Sequence, residues 1–168
     1  MEEHEIPDYV KTKLLILGCG NDLFGDDGFG PEVAKILEEK DFDPEIACIM
    51  DVGTSVRKVL FNITLSEVKP GKIILVDAVD KGRKPGEIFE ISVDDIPEIK
   101  IDDFSMHQLP TSNLLKELKD LCNVDITVLA CQVEYIPEEI EPGLSKTLQA
   151  AVPKMVKLIE ERIRKEER

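Results

Sequence analysis

Basic residues are scarce in this chain: 21 lysines and arginines stand against 35 aspartates and glutamates, a formal net charge of −14 over 168 residues. That excess of acid excludes electrostatic binding to nucleic acid or to an anionic membrane surface. It leaves open a metal, a cationic segment or a basic partner protein. Long hydrophobic runs are missing too, and none approaches the ~20 residues of a membrane span. The N-terminus (Met1, Glu2, Glu3, His4, Glu5) is acidic where a secretory signal would be basic. A soluble, cytoplasmic protein is the expectation. The four cysteines (Cys19, Cys48, Cys122, Cys131) form no Cys-x-x-Cys pair, which argues against structural zinc. They read as reduced thiols; only Cys19, between two glycines at a strand end, could react, and packing is its plainer role.

What is present is apolar sequence cut into short lengths. Hydrophobic residues make up 42% of the chain, enough for one core, and the length fits a single domain over residues 1–168. Residues 1–11 read as a polar arm. Buried strands are expected at Lys13–Cys19, Ile46–Val52, Lys72–Val79 and Asp125–Val133, with an alternating edge strand at Glu87–Ser92. Helical spacing recurs after Phe29, after Val56 and through Leu114, Leu115, Leu118 and Leu121. It returns from Leu144 to the end, where Pro153 is expected to kink or divide the helix. Residues 93–104 are acidic and aperiodic, a long loop. Ser105 and Gln108 form a capping box, so the third helix starts at Ser105 or at Pro110. Strands alternating with helices give a three-layer α/β/α sandwich on a mainly parallel, about five-stranded sheet. Ligands of such sheets bind beyond the carboxyl ends of the strands. The segments 18–28, 51–54, 77–80 and 131–137 should therefore share one rim.

The turn after the first strand, Gly18 to Gly30, is glycine-rich, yet its spacing does not match a dinucleotide fingerprint. Two carboxylates, Asp26 and Asp27, sit where a pyrophosphate would land. No Gly-Lys-Ser/Thr follows for a P-loop, and the register does not fit an EF-hand. No Gly-x-Ser-x-Gly elbow and no His-Glu-x-x-His helix is present, so serine-hydrolase and zincin chemistries lack their signatures. Of the two acids, one suits helix capping; the other could be a cap, a ligand or a catalytic group. Asp77 interrupts an otherwise apolar strand. It is either a hydrogen-bonded acid at a strand end or a functional one, because a buried carboxylate without a partner is costly. His107 is one of two histidines. It is either a packed loop residue or, at a helix start that keeps imidazole neutral, a metal ligand. Asp27, Asp77 and His107 together would suit a divalent transition metal with open positions, or an acid/base pair without one.

The ordered motifs Leu17-Gly18-Cys19-Gly20-Asn21, Asp26-Asp27-Gly28-Phe29-Gly30, Asp51-Val52-Gly53-Thr54, Val76-Asp77-Ala78 and Ser105-Met106-His107-Gln108-Leu109 resemble the hydrogenase maturation endopeptidases over residues 13–160. The wording is most similar to the branch serving deazaflavin-reducing hydrogenases of methanogenic archaea. The resemblance implies a protease that removes a C-terminal extension from a nickel–iron hydrogenase large-subunit precursor once nickel is inserted. It implies that Asp27 (Glu in many relatives), Asp77 and His107 contact nickel supplied by that precursor and carry the catalysis, so that the isolated protein can be metal-free. Gly53 and Thr54 would lie in the substrate groove. The partner implied is the precursor; the sequence does not fix the oligomeric state, for which a monomer is the expectation. The rival expectation is a non-catalytic metallochaperone, a nickel-binding accessory protein using the same three groups. A nucleotide-dependent enzyme is a third, opposed by the paired aspartates.

Overall fold

The computed structural model describes residues 5–94 and 111–168, with the side chains of residues 111–114 excepted. Elements run in the order α1 (Asp8–Lys11), β1 (Leu14–Cys19), a 3-10 turn (Gly25–Gly28), α2 (Phe29–Glu38), β2 (Ala47–Gly53), α3 (Val56–Leu65), β3 (Lys72–Val79), β4 (Ile88–Ser92), α4 (Thr111–Asp120), β5 (Asp125–Gln132) and α5 (Lys146–Glu166). The five strands form one sheet in the order β2-β1-β3-β5-β4. β4 alone runs antiparallel, along β5 at the edge. The mainly parallel sandwich expected from the strand–helix alternation is the one observed.

Both faces of the sheet are covered, which is why its central strands β1, β3 and β5 are largely buried and mostly apolar, rather than alternating as the edge strand β4 does. Alternate residues of one strand enter opposite cores. Leu15, Leu17, Ile73, Leu75, Val128 and Ala130 pack with Val56, Leu60 and Ile63 of α3 and Leu115 and Leu118 of α4. Leu14, Ile16, Ile74, Val76, Leu129 and Cys131 pack with Phe29, Val33 and Leu37 of α2 and with Leu148, Val152, Met155 and Ile159 of α5.

Two segments differ from the sequence reading. Within the expected polar arm, Asp8–Lys11 forms a helical turn, and its Val10 is buried in the α3/α4 core. α5 is a single 21-residue helix running through Pro153. An interior proline costs about 3 kcal/mol relative to alanine, and a buried Leu, Ile, Val or Met side chain contributes about 1.5–3 kcal/mol. Leu148 and Val152 before Pro153, with Met155, Val156 and Ile159 after it, are all buried, so packing outweighs the one missing backbone bond. The loop expected over 93–104 falls outside the described residues from residue 95, as do both proposed starts of the third helix.

The order of the strands determines where a site can form. The chain leaves β1 toward β2 on one side and returns as β3 on the other. The crossover helices therefore diverge at the carboxyl ends of β1 and β3. A crevice opens at such a switch point.

Candidate active site

The first wall of that crevice is built by glycines. Gly30, in the first turn of α2, lies so close to the sheet that a Cβ there would stand 2.2 Å from the Cys19 carbonyl oxygen and 2.3 Å from that of Val76. Only glycine lets the helix start rest directly on β1 and β3. Gly20 plays the matching part after β1, with φ +136° and room for a Cβ only 2.0 Å from the Asp27 carbonyl oxygen. The 3-10 turn between these contacts is thus pressed onto the strand ends, carrying Asp26 and Asp27 with it.

The two aspartates have different tasks. Asp26 is fully buried, and its carboxylate accepts from Glu134 N (2.8 Å), Tyr135 N (2.8 Å), Ser145 N (2.7 Å) and Ser145 Oγ (3.1 Å). Ser145 in turn accepts from Leu148 N as the N-cap of α5. Asp26 is therefore the capping acid of the pair, but it ties down the loop after β5 and the entry to α5 rather than its own helix. Asp27, 6% exposed, accepts from Asn21 N at 3.0 Å across the turn.

Asp77 comes from β3, on the face shared by Ile73, Leu75 and Val79. It is 1% exposed, and among the described residues neither carboxylate oxygen has a hydrogen-bond partner. Burial pushes its carboxyl well above the usual range, and the charge of Asp27 pushes it further. The nearby Ala78 N–H opposes the shift in part. The hydrogen-bonded strand-end acid considered from the sequence is not what the described residues form. Asp77 is instead a buried acid, shifted toward its neutral form, within electrostatic reach of a second carboxylate.

Cys19 occupies the same crevice, buried at the end of β1. Burial raises its thiol well above the ordinary value, and Asp77, Asp51 and Asp27 raise it further. It remains a thiol, and its S–H points to the Leu17 carbonyl at 3.6 Å. A nucleophilic thiolate is thereby disfavoured, and the packing role stands. At the end of β2, Gly53 N donates to Asp51 Oδ1 (3.1 Å) and the Gly53 carbonyl accepts from Gly20 N (3.0 Å). This brings the Gly53–Thr54 corner onto the rim, with Thr54 exposed. His107 lies outside the described residues. Among the described residues no three of His, Cys, Asp and Glu converge as a metal-holding group.

One residue of the rim escaped the sequence reading. Gln132, buried at the end of β5, accepts from Lys81 N (2.8 Å) and Arg83 N (3.1 Å) and donates to Asp80 Oδ1 (3.0 Å) and the Val133 carbonyl (3.2 Å). It fixes the chain leaving β3 just beyond Asp77. Its bond, followed by that from Gly82 N, holds the Asp80 carboxyl below the usual carboxylate range. The available signal was a polar residue closing an apolar strand, the same signal that singled out Asp77.

Known proteins resemble this chain in sequence and fold. A family model described as HycI, hydrogenase maturation protease, matches residues 31–162. A Methanocaldococcus jannaschii protein assigned to the hydrogenase maturation proteases is 40% identical over 156 residues, covering 92% of this chain and 99% of the relative. The coenzyme F420 hydrogenase subunit delta of Methanothermobacter thermautotrophicus is 36% identical over 152 residues, 88% of this chain and 92% of its own. Among solved structures, the [NiFe] hydrogenase maturation protease HycI from Thermococcus kodakarensis superposes with a TM-score of 0.74 at 27% identity, over 91% of this chain and 93% of that one. The chain belongs to the hydrogenase maturation protease family, a family of peptide-bond hydrolases.

Proposed function

We propose that this chain is the endopeptidase that cuts a C-terminal extension from a nickel–iron hydrogenase large-subunit precursor after nickel insertion. In this reading the precursor's own nickel docks against Asp27, Asp77 and His107, so the protease senses the metal before it cuts. The observation that supports it most is Asp77: a buried carboxyl beside Asp27, at the switch-point crevice, with both oxygens unclaimed by any described residue. Such a group carries a desolvation cost that a cation arriving with the substrate would relieve. His107 precedes in sequence the helix α4 that covers the face on which Asp77 stands, which suits its joining the two acids there. The substrate's metal would polarise the scissile carbonyl or activate a water, and Asp27 or Asp77 would accept the proton. The similarity to a coenzyme F420 hydrogenase subunit favours a precursor from a deazaflavin-reducing hydrogenase. The −14 charge disfavours nucleic acid and anionic membranes as partners.

The test is a mass time course on nickel-loaded precursor. Wild-type protein is expected to release a C-terminal peptide, whereas Asp77→Asn and His107→Ala leave the precursor intact. Normal processing by both variants overturns the assignment of the three groups. Transfer of metal without loss of mass would make the protein a metallochaperone instead.

A further inference from the structure

β2 is an edge strand, and its outer side ends at the rim occupied by Gly53 and Thr54. The direction of its peptide groups follows from four bonds. The Ile46 carbonyl accepts from Leu14 N in β1 (2.9 Å), whereas Ala47 N turns away to the Asp43 carbonyl (3.0 Å). Asp51 N also turns away, donating to Glu38 Oε1 at 2.7 Å, and the Gly53 carbonyl returns inward to Gly20 N. Backbone groups alternate along a strand, so the N–H and carbonyl of Ile49 face outward with those of Ala47 and Asp51. Beside them lies a groove of about 230 Å³ with an apolar floor of Leu37, Phe42, Pro44, Ala47 and Ile49. That volume suits one large aliphatic or aromatic side chain. Near the rim end of this edge, the carboxylate of Glu38 from α2 occupies the place at Asp51 N that a neighbouring strand's carbonyl would take.

We propose that the edge of β2 is where the precursor's C-terminal segment binds, as an added strand paired with Ile49 and Asp51. One of its apolar side chains enters the groove, and its carbonyl replaces Glu38 at Asp51 N. This deepens the preceding reading and rests on it. Main-chain pairing holds the peptide without demanding a particular sequence, and the groove sets a preference for an apolar side chain near the cut. The pairing is short, because Asp43 already occupies the N–H of Ala47, so the product can leave. The edge also delivers the peptide to the crevice: Asp51 stands in register beside Gly18 at the end of β1, and Gly53 beside Cys19. In the free enzyme Glu38 satisfies the edge and, as a charge, discourages pairing between copies of the chain.

The experiment measures KM and kcat for nickel-loaded precursor cleavage by mass spectrometry, with light scattering on each protein. Glu38→Ala removes the competitor, so KM is expected to fall about two- to fivefold with kcat unchanged. Glu38→Gln keeps a neutral acceptor and is expected to fall between. Ile49→Pro removes an outward N–H while sparing the ladder to β1, and KM is expected to rise about tenfold; circular dichroism checks its fold, and if it does not fold, Glu38→Ala decides. An unchanged or raised KM for Glu38→Ala overturns the proposal. So does self-association of that variant with unchanged KM, which would make Glu38 an edge guard and nothing more. A folded wild type that cuts no precursor overturns the parent reading and this one with it. An active wild type beside an indifferent Glu38→Ala overturns this one alone.

Discussion

Asp77 links the stability of the fold to its activity in a measurable way. Its carboxyl is raised well above the ordinary value of 3.8, first by burial and then by Asp27. In the unfolded chain it titrates near that ordinary value. Between the two, the folded state binds a proton that the unfolded state has lost. Stability therefore falls as pH rises through this window, by up to about 1.4 kcal/mol per pH unit. The sign is opposite to that of a salt-bridged aspartate, whose stabilisation is lost on acidification. Asp77→Asn keeps the shape and cannot ionise. Near pH 4 wild type and variant should have almost equal unfolding free energies, since both carry a neutral group at this position. With rising pH the variant should become the more stable, by up to about 1.4 kcal/mol for each pH unit crossed before the folded carboxyl ionises. For a domain of this size that corresponds to about 2–4 °C in Tm per kcal/mol. The assay is urea unfolding at half-unit steps from pH 4 to 8, paired with precursor cleavage at each step. A more stable and inactive variant is the expected result. A pH-independent difference, or a variant destabilised throughout, would refute the account of Asp77 as a buried and uncompensated carboxyl.

Three further outcomes test the scaffold of the crevice. Asp26→Ala strands the N–H groups of Glu134, Tyr135 and Ser145. It is expected to cost at least about 3 kcal/mol in urea unfolding, and exchange of those amides should accelerate before that of β1. Gly30→Ala forces a methyl into two backbone carbonyls. It is expected to cost about 1–3 kcal/mol and to lower kcat more than it raises KM, because Asp27 moves with the turn. Gln132→Ala frees the Lys81 and Arg83 amides and removes the bond that depresses the Asp80 carboxyl. Asp80 should then titrate at higher pH by carbon-detected NMR, while the strands keep their exchange protection.

The layers of the fold could be read from the sequence because the same residues that bury also punctuate. Leu14–Cys19 is too short for a helix and Lys72–Val79 both short and β-branched, and the glycine-rich turn between β1 and α2 marks one strand–helix boundary. Pro153 does not divide α5, because a proline's local cost has to be weighed against Leu148, Val152, Met155, Val156 and Ile159 buried around it. Val10 could not be read as core, since a single apolar residue in a polar arm has no period. Asp77 was legible as an interruption, for a charged group inside an apolar strand needs a reason wherever the strand lies.

Asp26 and Asp27 show where such reading stops. They are adjacent, chemically identical and equally placed before a helix, so no local rule separates them. Their difference arises from the 3-10 turn, which aims one at the loop entering α5 and the other at the Asn21 amide. The contacts that decide it, to Glu134, Tyr135 and Ser145, lie more than a hundred residues downstream. Glu38 is the same case seen from a helix. By periodicity it is one more solvated acid at the end of α2, in a chain that carries 35 acidic residues. Only the position of β2 at the sheet edge gives its bond to Asp51 N a meaning. A charge placed against an edge amide either keeps other strands away or yields to one, and the response of KM to its removal distinguishes the two.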